Sequence, residues 1–497
     1  MSAVAPHGSP RLADVLGHAG IDEARNPRLT GIGVDSRTVR PGYLFAACAG
    51  ARRHGLEFAD DAVNQGAVAV AWEPVSGIAP DAALPVPTVP VPDLGRRLGE
   101  LAARVYGHPS ADLPVLAVTG TDGKTSVSHF LAQVLGREGA PCGVIGTLGY
   151  GLYPDLDSAT HTTPDAARLQ ELLAGFRDGG AGHVVMEASS HALFQGRLNG
   201  TVVDVAVLTN LGRDHLDYHI TEQAYAEAKR LLFRQPGLRS AVINLDDSFG
   251  CSVRRSLHSD INRIGYSMQA DSDAHVVVTS FRPHATGFLL EAVTPVGVVA
   301  LDLPLLGRFN AQNVLAVIGA LVALGWRIDA IQDALASLRS VPGRMQRLHV
   351  AGRPLVVVDY AHTPGALEAA LCSLRAHVDG RVICLFGCGG DRDRGKRPLM
   401  AAAAERHADQ VIITDDNPRN EPPEQIVADI LAGFRGLAPM VVHDRAEAIA
   451  EAIQRAAPED VVLVAGKGHE TVQVGADGPR PFNDAEIVCD LLQEASS

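Results

Sequence analysis

Residues 114–138 set two glycines, a lysine and four hydroxyls between an apolar run and a helical pattern. Val115–Val118 is followed by Thr119-Gly120-Thr121-Asp122-Gly123-Lys124-Thr125-Ser126, and apolar residues then recur at helical spacing to Leu135. A strand, a glycine turn and a helix N-terminus together cradle phosphate. Backbone N–H groups point at the anion, the helix dipole favours it, Lys124 supplies charge, and the Thr125 hydroxyl suits Mg²⁺. An ordinary strand–turn–helix connection with a surface lysine is the structural alternative. The general phosphate loop has a further glycine where Val118 stands, so the form here is the shorter Gly120-x-x-Gly123-Lys124-Thr125. Asp122 adds a negative charge near the phosphates.

Other candidates follow apolar runs. Glu187-Ala-Ser-Ser-His191 comes after His183–Met186, and Thr209-Asn210-Leu-Gly-Arg-Asp214-His215-Leu-Asp217-Tyr-His219 comes after Val203–Leu208. Thr125 and Glu187 are oxygen donors suited to Mg²⁺. Asp214-His215-x-Asp217 reads either as a metal site or as a helix cap. Lys229, in Tyr225-Ala-Glu-Ala-Lys229-Arg230, reads from its neighbours alone as a surface lysine on a helix. Near the N-terminus, Asp35-Ser36-Arg37 taken alone is a polar turn.

Later in the chain four apolar strands each run into a polar loop. Leu355–Val358 leads to Asp359-Tyr-Ala-His362-Thr-Pro364, and Val382–Phe386 to Gly387-Cys-Gly-Gly-Asp391-Arg392-Asp393-Arg394-Gly-Lys396-Arg397. Gln410–Thr414 leads to Asp415-Asp416-Asn417-Pro418-Arg419, and Val461–Ala465 to Gly466-Lys467-Gly468-His469-Glu470. Singly, each loop could be a solvated turn. Gathered on one sheet edge, Arg392, Arg394, Lys396, Arg419 and Lys467 would form a concentrated cationic face.

These loops need α/β layers to position them. The chain of 497 residues is long enough for two to four domains. Residues 1–112 form a first block, with strands at Tyr43–Ala47 and Ala67–Trp72, a proline-punctuated stretch at Pro85–Pro92 and a linker at His108–Pro114. Residues 113–341 form a central block of alternating strands and helices, hence a mostly parallel sheet with ligands at its carboxyl edge. Short alternating runs from His275 to Leu303 suggest an antiparallel appendage. Residues 342–497 read as a compact Rossmann-like domain.

A net charge of −14 argues against a nucleic-acid partner. Met1–Pro10 shows no signal peptide, and no apolar run approaches the ~20 residues of a membrane span. Seven scattered cysteines suit reduced cytosolic thiols, with Cys384 a buried strand residue and Cys388 a loop residue. A cytoplasmic protein without membrane insertion is expected.

Over nearly its whole length the chain resembles the Mur ligase family, in its MurE, diaminopimelate-adding type. The cradle, Glu-Ala-Ser-Ser-His, Asn-x-x-x-Asp-His-x-Asp-Tyr-His, Phe309-Asn310-x-x-Asn313, Pro342-Gly-Arg344, Asp-Tyr-Ala-His-Thr-Pro, Asp-Asn-Pro-Arg and Gly-Lys-Gly-His-Glu occur in family order. The family usually has Asn where Asp122 stands, and often Thr where Ser126 stands. The resemblance implies three domains: an N-terminal UDP-binding α/β domain, a central P-loop ATPase domain, and a mobile C-terminal Rossmann-like domain that holds the amino acid.

It also implies residue roles. Gly120, Thr121, Asp122, Gly123, Lys124, Thr125 and Ser126 would bind ATP with Asn310, Arg344 and Asp359. Ser36, Thr162, Thr163, Ser189, Gln195 and Arg197 would hold the UDP-sugar dipeptide. Lys229 would be carbamylated by CO₂, which turns a cation into an oxygen ligand. Thr125, Glu187, His215 and that carbamate would hold Mg²⁺, and Lys124, Lys229 and His215 would be the catalytic set. Arg392, Asp416, Asn417, Pro418, Arg419, Gly466 and Glu470 would bind diaminopimelate, because a guanidinium grips the second carboxylate that lysine lacks.

The implied reaction joins meso-diaminopimelate to the D-Glu γ-carboxylate of UDP-N-acetylmuramoyl-L-Ala-D-Glu through an acyl phosphate. It is a step of peptidoglycan and cell-wall synthesis, tied to cell shape, division and cycle, and a monomer is expected. The alternatives are a lysine-adding or folylpolyglutamate-type ligase, a P-loop ATPase that forms no amide, and a non-catalytic UDP-sugar-binding relative.

Overall fold

Apolar runs of four or five residues become the inner strands of parallel sheets, buried on both faces by the helices that connect them. A computed structural model describes residues 8–17, 22–50, 53–81, 83–136, 139–436 and 438–494. Residues 1–7 of the stretch read for a signal peptide lie outside the described residues. Two compact units result. The first comprises residues 1–267, 271–276 and 316–326, and the second residues 268–270, 277–315 and 327–497.

In the first unit, strands Gly31–Gly33, Tyr43–Ala47, Ala69–Trp72 and Thr88–Pro90 pair in parallel in chain order. Helix Leu94–Val105 packs its Leu94, Leu98 and Leu101 into the core beneath them. A second sheet runs Asn262–Ser267, Ser240–Asn244, Val205–Leu208, Val115–Thr119, His183–Glu187, Cys142–Gly146, all parallel. Gly149–Leu152 and Asp155–Asp157 extend it antiparallel. Val115–Thr119 thus lies between Val205–Leu208 and His183–Glu187, while the chain leaving it crosses to Cys142–Gly146. That order creates a crevice at the carboxyl end of Val115–Thr119, where open α/β sheets bind ligands.

The second unit carries a parallel sheet in the order Leu355–Asp359, Val461–Ala465, Val382–Phe386, Gln410–Ile413, Met440–Val441, with Gln346–Leu348 antiparallel at one edge. Its loops therefore emerge together at one edge, as expected. Strands Val276–His284, Gly287–Thr294 and Gly297–Leu303 form the antiparallel meander.

Several expectations need correction. Pro85–Pro92 contains a true strand at the sheet edge, where proline's missing N–H costs no ladder bond. His108–Pro114 is no slack linker: Pro109 and Ser110 are buried in a 3₁₀ turn, and the Ser110 hydroxyl accepts the Val202 N–H at 2.9 Å. Strands Asn262–Ser267, Gln346–Leu348 and Met440–Val441 and the hairpin Val472–Gly475/Gly478–Pro481 were not foreseen, because short, polar or glycine-broken segments carry little apolar period. All seven cysteines are free thiols. Cys384 is buried in its strand, and loop residue Cys388 is buried against Met400. Among the described residues no helix is long and apolar enough to cross a membrane.

Candidate active site

The cradle forms where the glycines put it. Helix Lys124–Leu135 begins after Gly123, whose φ of +83° suits glycine. At Gly120 a Cβ would lie 1.8 Å from the Thr209 hydroxyl, so only glycine lets the loop pass. The end of the adjacent strand holds the loop. The Thr209 hydroxyl donates to the Asp122 carbonyl at 2.5 Å, and the Asp122 N–H donates to Asn210 Oδ1 at 2.9 Å. The Asp122 backbone is thereby fixed while the residue itself is exposed. Ser126 is buried in the first helical turn.

Two lysines converge on one carbonyl. Lys124 Nζ donates to the Gly120 and Thr121 carbonyls, both at 2.9 Å, and Lys229 Nζ donates to the Gly120 carbonyl at 2.6 Å. Lys229 is not the surface lysine its neighbours suggest: it is 1% exposed, with its ammonium 4.4 Å from the Tyr225 ring centre. Burial first, and the charge of Lys124 second, hold its pKa well below the usual lysine value. Tyr225 in turn shares a hydrogen bond with Thr121 at 3.1 Å.

Glu187, completely buried, is the oxygen centre next to the cradle. Its Oε2 accepts from Thr125 and Thr147 hydroxyls at 3.1 Å each, and its Oε1 accepts the Thr147 N–H at 2.8 Å. No cation pairs with it among the described residues. A buried carboxylate flanked by hydroxyls and lacking a counter-charge is costly alone and fits a hard divalent cation such as Mg²⁺. His215 is half-exposed, 3.4 Å from Asp214, and its ring packs on His191. Among the described residues no group of three or more His, Cys, Asp or Glu side chains is spaced to hold a metal. A four-member metal set would therefore depend on Thr125 and a modified Lys229.

The residues assigned to the UDP-sugar dipeptide largely assemble. Thr163 donates to the Glu187 carbonyl at 2.8 Å and approaches the Ser189 hydroxyl, while Thr162 meets Thr147 at 3.2 Å. Arg197 donates to the Thr163 carbonyl at 2.7 Å and to Gln195 Oε1 at 2.9 Å, and Gln195 donates to the Tyr218 hydroxyl. Gln195 and Arg197 line a cavity of about 320 Å³ together with Val34, Cys48 and His161. Ser36 is buried in a 3₁₀ turn, capped by Asp35, that does not line this cavity.

In the second unit Asp359 accepts the Met345 and Ala361 N–H groups at 2.7 and 2.8 Å, and burial raises its pKa. The Arg344 guanidinium stacks on Tyr360 at 4.7 Å, and Asn310 donates to the Leu306 carbonyl at the start of helix Arg308–Ala323.

The loops after strands Val382–Phe386 and Gln410–Ile413 pack backbone to backbone. A Cβ on Gly390 would lie 1.9 Å from the Pro418 carbonyl, so glycine permits the approach. Arg419, at φ +55°, donates from Nη1 to the Gly390 and Asn417 carbonyls. Asn417 Nδ2 donates to Glu470 Oε2 at 2.8 Å, and a Cβ on Gly466 would meet Asp416 Oδ2 at 3.1 Å. Arg392 is exposed beside these loops.

The concentrated cationic face does not form as expected. Lys467 is fully buried, bonded to Asn417 and Glu470, and Arg394 pairs with Asp429 at 2.9 Å. Lys396 donates to the His362 carbonyl. Of the five, Arg392 is exposed, and Arg419 is half-buried with Nη1 bonded to the Gly390 and Asn417 carbonyls. Sequence reasoning missed Thr147, the packing of Tyr225 on Lys229 and the inward role of Lys467. Thr147 stands directly after strand Cys142–Gly146, a position that could have flagged it.

Residues 28–106 match the family description "Mur ligase family, catalytic domain", residues 118–321 "Mur ligase middle domain", and residues 343–468 "Mur ligase, glutamate ligase domain". The UDP-N-acetylmuramoyl-L-alanyl-D-glutamate–2,6-diaminopimelate ligase of Alkalilimnicola ehrlichii is 52% identical over 481 residues, covering 95% of this chain and 97% of that protein. The ligase of the same name from Coxiella burnetii is 47% identical over 474 residues, covering 93% and 97%. A solved structure of a ligase with that name superposes with a TM-score of 0.72 at 39% identity, covering 95% of this chain and 96% of that one. MurF ligase from Thermotoga maritima in complex with ADP shares the fold alone, at TM-score 0.63, 19% identity and coverage of 93% and 97%. With its three family segments in order and near-full-length relatives at about half identity, the chain belongs to the Mur ligase family.

Proposed function

We propose that this protein is the ATP-dependent ligase that adds meso-2,6-diaminopimelate to the D-Glu γ-carboxylate of UDP-N-acetylmuramoyl-L-Ala-D-Glu, in peptidoglycan precursor synthesis. The carrying observation is 52% identity over 95% of the chain to a ligase of that name. Its support in the structure is a lysine-bearing phosphate cradle in the first unit and, in the second, a hydrogen-bonded Arg419–Asn417–Glu470 cluster.

Chemistry begins with the γ-carboxylate, oriented from the Arg197 side, attacking the γ-phosphorus of ATP as ADP leaves. Lys124 and the loop N–H groups spread the developing charge, so the protein contributes position and electrostatics. The amine of diaminopimelate then attacks the resulting acyl phosphate, phosphate departs, and the amide forms. Arg419 and Arg392 take the distal carboxylate, and Glu470 takes the distal ammonium. Lysine leaves Arg419 unmatched, which should exclude it strongly. Asn310, Arg344 and Asp359 complete the nucleotide contacts, and Ser36 reaches the UDP-sugar.

Mg²⁺, held by Thr125, Glu187, His215 and carbamylated Lys229, would neutralise phosphate charge. Lys229 suits carbamylation because its depressed pKa favours the neutral amine. That amine adds to the carbon of CO₂ and loses one proton, leaving an anionic oxygen ligand. Its substrates and free thiols suit a cytoplasmic enzyme, acting as a monomer.

Phosphate release from Mg-ATP, measured with UDP-N-acetylmuramoyl-L-Ala-D-Glu and either diaminopimelate or L-lysine, tests the proposal when product mass is recorded. A diaminopimelate-dependent tripeptide supports it. Turnover with lysine overturns the specificity, and no amide product with either overturns the ligase assignment.

A further inference from the structure

Lys467 is the cation most at odds with the sequence expectation. It sits in the loop after strand Val461–Ala465 and has no exposed surface. Its ammonium carries three hydrogens. One goes to Asn417 Oδ1 at 3.0 Å and one to Glu470 Oε2 at 2.9 Å, and Asp416 Oδ1 lies 3.8 Å away. An ammonium so buried cannot reach out to a ligand, and its desolvation is tolerable only because these groups face it.

Its partners are the residues that should grip the amino acid. Asn417 Oδ1 also accepts the Val474 N–H at 2.8 Å, while its Nδ2 donates to Glu470 Oε2 at 2.8 Å. With an ammonium and an N–H both pointing at Oδ1, the Asn417 amide has one permitted orientation. Glu470 Oε2 is therefore occupied twice from within. Glu470 Oε1 forms no hydrogen bond among the described residues, and 31% of the side chain is exposed.

We propose that Lys467 is the positioning residue of the amino-acid site. It holds Glu470 with one carboxylate oxygen turned inward, so that the other faces the distal ammonium of the incoming diaminopimelate, and it sets the Asn417 amide that supports this pose. The assignment of the ligand rests on the proposed function. Burial pushes the Glu470 carboxyl up, but the hydrogen bond and charge of Lys467 outweigh it with help from Asn417 and His469, keeping it below the usual value. Asp416, Tyr360 and Arg445 also feel the Glu470 charge.

The test compares wild type, K467M, E470Q and K467M/E470Q. Methionine keeps the length of the buried stem and removes the charge. K467M should raise KM for diaminopimelate about tenfold or more, the scale of losing a supporting contact, with KM for ATP and for the nucleotide sugar unchanged. The acid limb of its kcat/KM for diaminopimelate should move to higher pH. K467M/E470Q should match E470Q, because Lys467 acts through Glu470; additive losses would overturn the proposal. If K467M does not fold, the K467M/E470Q and E470Q comparison, free of the unpaired carboxylate, still decides. A carboxyl NMR titration of Glu470, identified by its loss in E470Q, is independent of turnover. A raised Glu470 pKa in K467M supports the role and an unchanged one overturns it, even if the wild type makes no diaminopimelate product and the ligase reading falls.

Discussion

An ammonium stripped of water gives up its proton readily and leaves a nucleophilic neutral amine, and Lys229 is buried in this way. Burial and Lys124 both disfavour its proton. The sign of the linkage follows. Between the depressed folded pKa and the ordinary lysine value, the unfolded chain binds more protons, so stability rises with pH in that window and is lost as pH falls through it. Lys229→Met should flatten this rise, as read from urea midpoints measured across pH. Lys229→Ala should lower kcat by about 10²-fold or more, the scale of losing a preorganised electrostatic group. Depleting CO₂ should slow the wild type reversibly and leave that variant unaffected. Glu187 makes a parallel case. Glu187→Gln keeps the shape but removes a buried carboxylate charge, so the half-saturating Mg²⁺ concentration should rise about tenfold or more, measured by a Mg²⁺ titration of turnover.

Elements hold these residues through a few unforgiving approaches. The cradle is pinned to the end of strand Val205–Leu208 by Thr209 and Asn210. Gly120→Ala would push a methyl into the Thr209 hydroxyl and shift the loop. A displacement of about 1 Å is worth up to about 10²-fold in rate, so nucleotide affinity by calorimetry and kcat should both fall while the far-UV spectrum holds. In the second unit helices Arg445–Arg455 and Asp484–Glu494 are clasped by the Arg445–Asp484 pair, at 2.7 Å and without exposed surface on either side. Asp484→Ala leaves the guanidinium buried and uncompensated, which should cost about 3–5 kcal/mol in denaturant unfolding. Arg445 also donates to the Ala465 carbonyl, next to Gly466, so this clasp supports the Gly466–Glu470 loop from behind.

At the scale of the whole molecule, two compact units with separate cores predict that unfolding departs from two-state behaviour. Calorimetry should resolve two transitions. Mg-ADP should raise the one belonging to the unit with Lys124, by about 2.7 kcal/mol at a hundredfold excess over Kd. A single transition insensitive to nucleotide would contradict both the division and the cradle. The parallel sheet in each unit gathers chemistry at strand carboxyl ends, which explains why the functional residues follow apolar runs throughout the chain.

The sequence by itself determined the cradle, the alternation of strand and helix, the meander and the four loops on one sheet edge. These rest on local physics: apolar period, glycine φ and helix-start chemistry act within a few residues of each other. The short edge strands escaped because pairing with a neighbour, not their own pattern, stabilises them. Only the tertiary structure decided that Lys229 is buried under Tyr225, that Glu187 has no paired cation among the described residues, and that Lys467 points inward. Charge on a sequence has no address. Whether a lysine is a solvated cation, a neutral amine or an internal counter-ion depends on desolvation and on partners that, for Lys229 and Gly120, lie 109 positions apart in the chain.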